Sequence, residues 1–194
     1  METRHGFEQA YNVQLVVDAD DQIIVAVEVT QEVNDKMQLV PILERMERTV
    51  GLPDALAVDA GYYGQEAVRQ ASIKTDLYIS TQSRRRELPE GWGEGPPPLC
   101  LSPKGAMSWK VTSPAGRAIY RKRGCSVEPI NGQIKDGQGF RQFLLRGLKK
   151  VTLEAHLVAT GSNIKKMWRR AAGAIEKGGD VPEIRKSGRN MADS

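Results

Sequence analysis

The chain has 194 residues, 40% hydrophobic and 27% charged, which suits one domain with a core of its own and excludes a fibrous or largely disordered protein. No run of 18 apolar residues occurs, and Met1-Glu2-Thr3-Arg4-His5 leads into no apolar signal core, so neither membrane insertion nor secretion is expected. The net charge is +4 with a pI of about 9.1, and two cysteines, Cys100 and Cys125, are too few for a disulfide framework, so reduced thiols are expected.

In chain order, Tyr11–Val17 and Ile23–Val29 are apolar and β-branched, and Asp18-Ala19-Asp20-Asp21 between them is turn chemistry, which predicts a β-hairpin over 11–30. Asn34-Asp35 offers an N-cap. Leu39, Val40, Ile42, Leu43, Met46 and Val50 then recur at helical spacing until Gly51-Leu52-Pro53, with Pro41 marking the start or a kink. Ala55–Val58 reads as a short strand ended by Asp59-Ala60-Gly61, Gln65–Ala71 as a short helix, and Asp76–Ser80 as another strand. The Pro/Gly-rich stretch 82–106, which opens with Arg84-Arg85-Arg86, reads as a long loop or insertion, with a short strand expected at Met107–Val111. Helical pattern returns from Ser126 to Lys135 and is broken by Gly137 and Gly139. A long helix is expected over 149–175, burying Val151, Leu153, Leu157, Val158 and Ile164. After Gly178 the chain turns polar and Gly-rich, the composition of a disordered tail. Alternating strands and helices predict an α/β fold.

The charge is concentrated. Between Tyr120 and Arg170 stand twelve Lys/Arg against Glu128, Asp136 and Glu154, a net of +9 that leaves −5 for the rest. A phosphate-binding surface asks for such a field, though a solvated basic helix face would also produce it. Asp59 closes an apolar strand just before a glycine, which places it at the carboxyl edge of a sheet, where α/β folds build sites. As a lone residue it reads more readily as a turn cap. Glu128 is an acid among cations: either their ion-pair partner, or a ligand for a divalent cation handling a phosphodiester. Lys135, seven residues on, would share its face if the helix is regular. Trp168 reads as core packing, with base stacking as the rival role.

The segment Tyr120-x2-Arg123-x4-Glu128-x6-Lys135 resembles the Tyr-Arg-Glu-Lys signature of DDE transposases from bacterial insertion sequences. Its surroundings extend the resemblance over about residues 4–170, in order. Gly6-Phe7-Glu8-Gln9-Ala10-Tyr11-Asn12-Val13-Gln14 is similar to that family's hairpin motif, and 29–43 to the segment after it. Ala57-Val58-Asp59-Ala60-Gly61-Tyr62-Tyr63 is similar to the strand bearing its second catalytic Asp. Gly139–Gly147 and Asn163–Arg169 match its C-terminal segments.

The resemblance implies an RNase H-like fold, a mixed five-stranded sheet flanked by helices. It also implies two divalent metals, magnesium or manganese, held by three acids and cutting and joining DNA strands. Asp59 then stands as the second catalytic Asp and Glu128 as the Glu, both metal ligands, and Tyr120, Arg123, Lys135, Arg141 and Arg146 as DNA contacts. In the family the first Asp lies on a first strand upstream of the hairpin, whereas Asp18, Asp20 and Asp21 here fall in the hairpin turn. The expectation is therefore that the first strand and first catalytic Asp are missing. Residues 1–175 would be the C-terminal part of the catalytic domain, 176–194 a polar tail, and the chain crippled alone. The partners implied are terminal-repeat and target DNA, with a homodimer or a full-length transposase, in a bacterial cytoplasm at the nucleoid. A non-catalytic DNA-binding remnant or regulator, and a nuclease of the same fold without strand transfer, stay open.

Overall fold

The structure is a computed structural model and describes residues 2–3, 6–7, 10–81, 89 and 91–176. The expected tail, Arg84-Arg85-Arg86 and most of 82–90 lie outside the described residues. What is described is an α/β arrangement whose strands form three two-stranded sheets. β1 (Glu2–Thr3) and β2 (Gly6–Phe7) make a short antiparallel pair. β3 (Asn12–Val17) and β4 (Ile24–Thr30) are the expected hairpin, with a register shift between Val16 and Val17. α1 (Leu39–Thr49) follows a 3-10 turn over Asp35–Met37, whose Lys36 N–H donates to Asn34 Oδ1 at 3.1 Å. β5 (Ala55–Val58) and β6 (Asp76–Ile79) run parallel, joined through α2 (Gln65–Lys74). Helices α3 (Pro103–Thr112), α4 (Pro114–Gly132) and α5 (Leu148–Glu176) complete the chain, with a π-helical segment over Gln133–Gly137.

The near-continuous apolar run of β4 is explained by cover on both faces. Val27 and Val29 pack toward α5, among Val151, Ala155 and Ala159. Ala26 packs toward α1, among Leu39, Ile42, Leu43 and Met46. Glu28 lies on that second side too, and Arg45 of α1 donates to it at 2.9 Å. β5 and β6 share the α1 cluster through Leu56, Leu77 and Ile79. α4 spans both clusters: Ile119 and Tyr120 pack on the first, Ile130 on the second.

Three expectations fail here. Met107–Val111 is not a strand but the second half of α3. Ser102 caps that helix, its Oγ accepting from Gly105 N at 3.2 Å, with Pro103 at the first helical position. The two residues that it buries, Met107 and Val111, stand at i, i+4, which is a helical period and not an alternation. Along α5, Val151, Ala155 and Ala159 pack inward, while Leu153, Leu157 and Ile164 are exposed at about 60%. The small Ala side chains bring the helix close to β4, and that close approach selects the face. Trp168, at 70% exposure, is not core either.

The turn of the β3–β4 hairpin is tied down by its polar groups. Asp18 Oδ2 accepts from Asp21 N at 2.6 Å, so Asp18 caps the turn. Ile24 exchanges two hydrogen bonds with the Asn163 amide, its N donating at 2.9 Å and its O accepting at 2.8 Å. Pro129 stands inside α4 and has no N–H for the carbonyl of Cys125. Gln22 Nε2 takes over that role, donating to Cys125 O at 3.0 Å from a backbone held at φ +52°. Both cysteines are free and exposed.

α3 is fastened to β6 by charge. Lys110 donates to Asp76 and to Leu77 O, its ammonium lies 4.3 Å from the Tyr78 ring centroid, and Tyr78 Oη donates to Asp76 at 2.8 Å. These contacts, the Lys110 hydrogen bond first, hold the Asp76 carboxyl below the usual aspartate range. A carboxylate depressed in the folded state stabilises fully above its unfolded pKa of ~3.9, and the gain is lost as pH falls through the lower folded value. The stability difference between the protein and Asp76→Asn in urea melts should therefore hold from neutrality to ~pH 5 and shrink below ~pH 4. A constant difference down to low pH would exclude the carboxylate as its source.

Candidate functional site

Asp59 follows directly on the last β5–β6 rung, Val58↔Ile79, and caps the next turn, its Oδ1 accepting from Ala60 N at 2.7 Å. Its other oxygen faces α4. Arg123 Nη1 stands 3.6 Å from Asp59 Oδ2, and the Arg123 guanidinium lies 5.5 Å from the Tyr120 ring centroid. Three residues named from sequence, Asp59, Arg123 and Tyr120, are thus brought together, two of them one helical turn apart on α4 and the third from a strand end.

Glu128 sits one turn past Gly124. Its carboxylate leans back over that glycine, whose added Cβ would meet Glu128 Oε1 at 3.7 Å, an ordinary contact. Glu128 is exposed, and no Lys or Arg forms an ion pair with it among the described residues. Lys135 lies in the π segment, where Gln138 N donates to Gln133 O at 2.9 Å. The regular helix that the shared face with Glu128 assumed therefore does not continue through Lys135. Arg141 is exposed and paired with Asp136, and Arg146 is exposed. Neither is brought to Asp59 by any contact in the described residues.

The loop carrying Arg141 and Arg146 is nevertheless fixed in place. The buried Glu154 of α5 accepts from Leu144 N at 2.9 Å and Leu145 N at 3.0 Å. Tyr11 Oη accepts from Gly147 N at 3.0 Å, and Phe143 packs edge-on against Tyr11 and Phe140.

A second carboxylate, missed as a site residue, lies beside the first. Asp35 Oδ1 accepts from Asn12 Nδ2 at 2.5 Å and from Gln14 Nε2 at 2.9 Å, so the two amides of β3 hold it. Its Oδ2 faces Gly61, where a Cβ would come to 3.2 Å. Tyr62 lies within the field of both acids. Burial first, then the charges of Asp35 and Asp59, raise its phenol far above the usual tyrosine value. It is therefore a neutral hydrogen-bonding group throughout the physiological range. The Asn12-x-Gln14 spacing was the available signal, because alternate residues of a strand share one face.

A two-metal centre asks for several acids converging on one point. Among the described residues no three His, Cys, Asp or Glu side chains could together hold a metal ion. Asp59 is engaged by Ala60 N and Arg123, and Glu128 is not joined to it. These residues alone do not fit a divalent-metal pair.

Residues 102–168 match the family model of a transposase DDE domain. The matched stretch begins at the cap of α3 and ends at Trp168 in α5, so it contains Tyr120, Arg123, Glu128, Lys135, Arg141 and Arg146 and leaves Asp59 outside. The match supports a DDE transposase. No curated protein and no solved structure matches the chain. No described helix is long and apolar enough to cross a membrane.

Proposed function

We propose that the chain is the larger part of the catalytic domain of a DDE transposase of the insertion-sequence type, acting on DNA. The observation that carries this reading is the pairing of Arg123 with Asp59 at 3.6 Å. It sets a helix within the transposase-like stretch against the strand end where the second acid is expected. In the proposed reading Asp59 and Glu128 are two of three metal-binding acids in an RNase H-like arrangement, and magnesium or manganese completes the centre only with a further carboxylate. Tyr120, Arg123, Lys135, Arg141 and Arg146 face DNA backbone. Residues 1–175 form this domain part and 176–194 its tail. Terminal-repeat and target DNA are the substrates, a second copy or a full-length transposase is the partner, and the bacterial nucleoid is the place of work.

The chain alone should bind duplex DNA yet give no strand joining with magnesium. The test is a strand-transfer assay on the element's terminal repeats, with binding followed in parallel. Robust joining abolished by Asp59→Ala and indifferent to Asp18→Ala would overturn the incapacity. Absence of DNA binding at any salt concentration would overturn the whole reading.

The lack of a three-acid cluster among the described residues favours a second reading, a DNA-binding regulator that pairs with an active transposase. On that reading Glu128→Gln leaves DNA affinity unchanged, and adding the chain to the full-length enzyme lowers its strand transfer.

A further inference from the structure

α5 and the π segment form an open-sided cavity of about 260 Å³ to which Asp59 does not contribute, lined by Gln133, Gly137, Gln138 and Ser162 together with four cations of α5. The four are Lys165, Lys166, Arg169 and Arg170, two adjacent pairs one helical turn apart. No carboxylate lines the cavity. Every charged group there is a donor, and the neutral groups are amides, a hydroxyl and bare glycine backbone.

The four cations divide into two kinds. Lys166 donates to Gln22 and Arg170 to Asp21, so the hairpin turn of β3–β4 fixes these two from behind. Lys165 and Arg169 are exposed and have no ion pair among the described residues. Ser162 is buried at 8% exposure, and its hydroxyl has no hydrogen bond among the described residues although it lines the cavity. That hydroxyl opens onto the cavity and is free to donate to an anion there.

We propose that this cavity is a phosphate site that takes the phosphodiester backbone of nucleic acid, with Lys165 and Arg169 as the direct contacts and Ser162 and Gln133 as neutral donors. The proposal rests on the DNA reading above and adds a grip separate from the acids. Crowding supports it: burial, and then the charge of Arg170, lower the Lys166 ammonium below the usual lysine value, a penalty that a bound anion relieves. A chain of phosphates fits better than a single one. The cation pairs repeat at ~6 Å along the helix axis, so they extend along a strand and do not close around one anion. The shared chemistry is a phosphate oxygen, whether from nucleic acid or from free phosphate.

The experiment is fluorescence anisotropy of a labelled duplex titrated with the full chain over a potassium chloride series. It compares the protein, the pair Lys165→Gln/Arg169→Gln, and the pair Lys149→Gln/Lys150→Gln as an equal change of charge elsewhere on α5. The expected result is a shallower salt dependence for the first pair, by ~1.8 in the log–log slope for two phosphates at ~0.9 each, and a smaller change for the second. Thermal melting should be unchanged in both, since the replaced side chains are exposed. Duplex binding by the protein with an unaltered slope in Lys165→Gln/Arg169→Gln overturns the site and leaves the DNA reading standing, as does an equal change in the two pairs. If inorganic phosphate binds through Lys165 and Arg169 while the duplex slope is unaltered, the phosphodiester assignment is overturned. No duplex binding by the protein at any salt concentration overturns the DNA reading, and this site with it.

Discussion

Gly116→Ala should cost at least ~3 kcal/mol of stability, near the upper end for overpacking a site that cannot relax. Gly116 lies in the first turn of α4, against the last turn of α3. A Cβ there would stand 1.9 Å from Lys110 O and 2.9 Å from its carbonyl carbon, and both are backbone atoms. The corner between the helices has a single residue, Ser113. Its Oγ donates to Lys110 O at 2.7 Å and accepts from Gly116 N at 3.1 Å. Space for one more carbon can come only from opening that corner. Opening it withdraws Met107 and Val111 from the core and swings Tyr120 and Arg123 away from Asp59. Gly161→Ala supplies the contrast, because a Cβ at Gly161 in α5 meets nothing within 4 Å. It should stabilise by ~0.5–1 kcal/mol through helix propensity alone. Urea unfolding of the two variants checks both signs. A Gly116→Ala midpoint equal to that of the unaltered protein would show that the corner is not built as described.

Ile79→Ala should lose ~2–5 kcal/mol, the range for truncating a fully buried branched side chain. Ile79 has no exposed surface and sits where β6, β5, α1 and α3 meet. It is also the partner of Val58 in the rung next to Asp59. The vacated space is bounded by two parallel strands and the helices on them, which limits collapse. Ile79→Val, which removes one methyl group, should lose only ~0.5–1.5 kcal/mol. Denaturant midpoints at constant m-value measure both. Equal losses in the two variants would place Ile79 outside the packed centre.

Much of the local structure was legible along the chain because its signals are local. The hairpin over 11–30, the strand before Asp59, the strand from Asp76 and the long C-terminal helix each carry period, turn residues or caps within a few positions. At Met107–Val111 the apolar run is short and fits either period, whereas the Ser102-Pro103 and Ser113-Pro114 pairs mark the starts of α3 and α4. The beginning of α4 went unread for a related reason: Arg117–Arg123 is mostly polar, and the helix buries only Gly116, Ser126 and Ile130. On α5 more than one side is apolar, so periodicity could not choose between Leu153-Leu157 and Val151-Ala155-Ala159.

The site divides in the same way. That Asp59 ends a strand, that Tyr120, Arg123 and Glu128 follow one another in a Tyr-x2-Arg-x4-Glu order, and that positive charge gathers after residue 120 are properties of the sequence alone. They depend on order and composition. The pairing of Arg123 with Asp59, the capture of Asp35 by Asn12 and Gln14, and the cavity of donors beside Ser162 are different. Each joins side chains from elements far apart in the chain, and their geometry depends on how β5, α4, β3 and α5 are packed. Charge and hydrogen bonding act over a few ångströms of space, whatever the number of residues between the partners, and only the folded arrangement sets those distances.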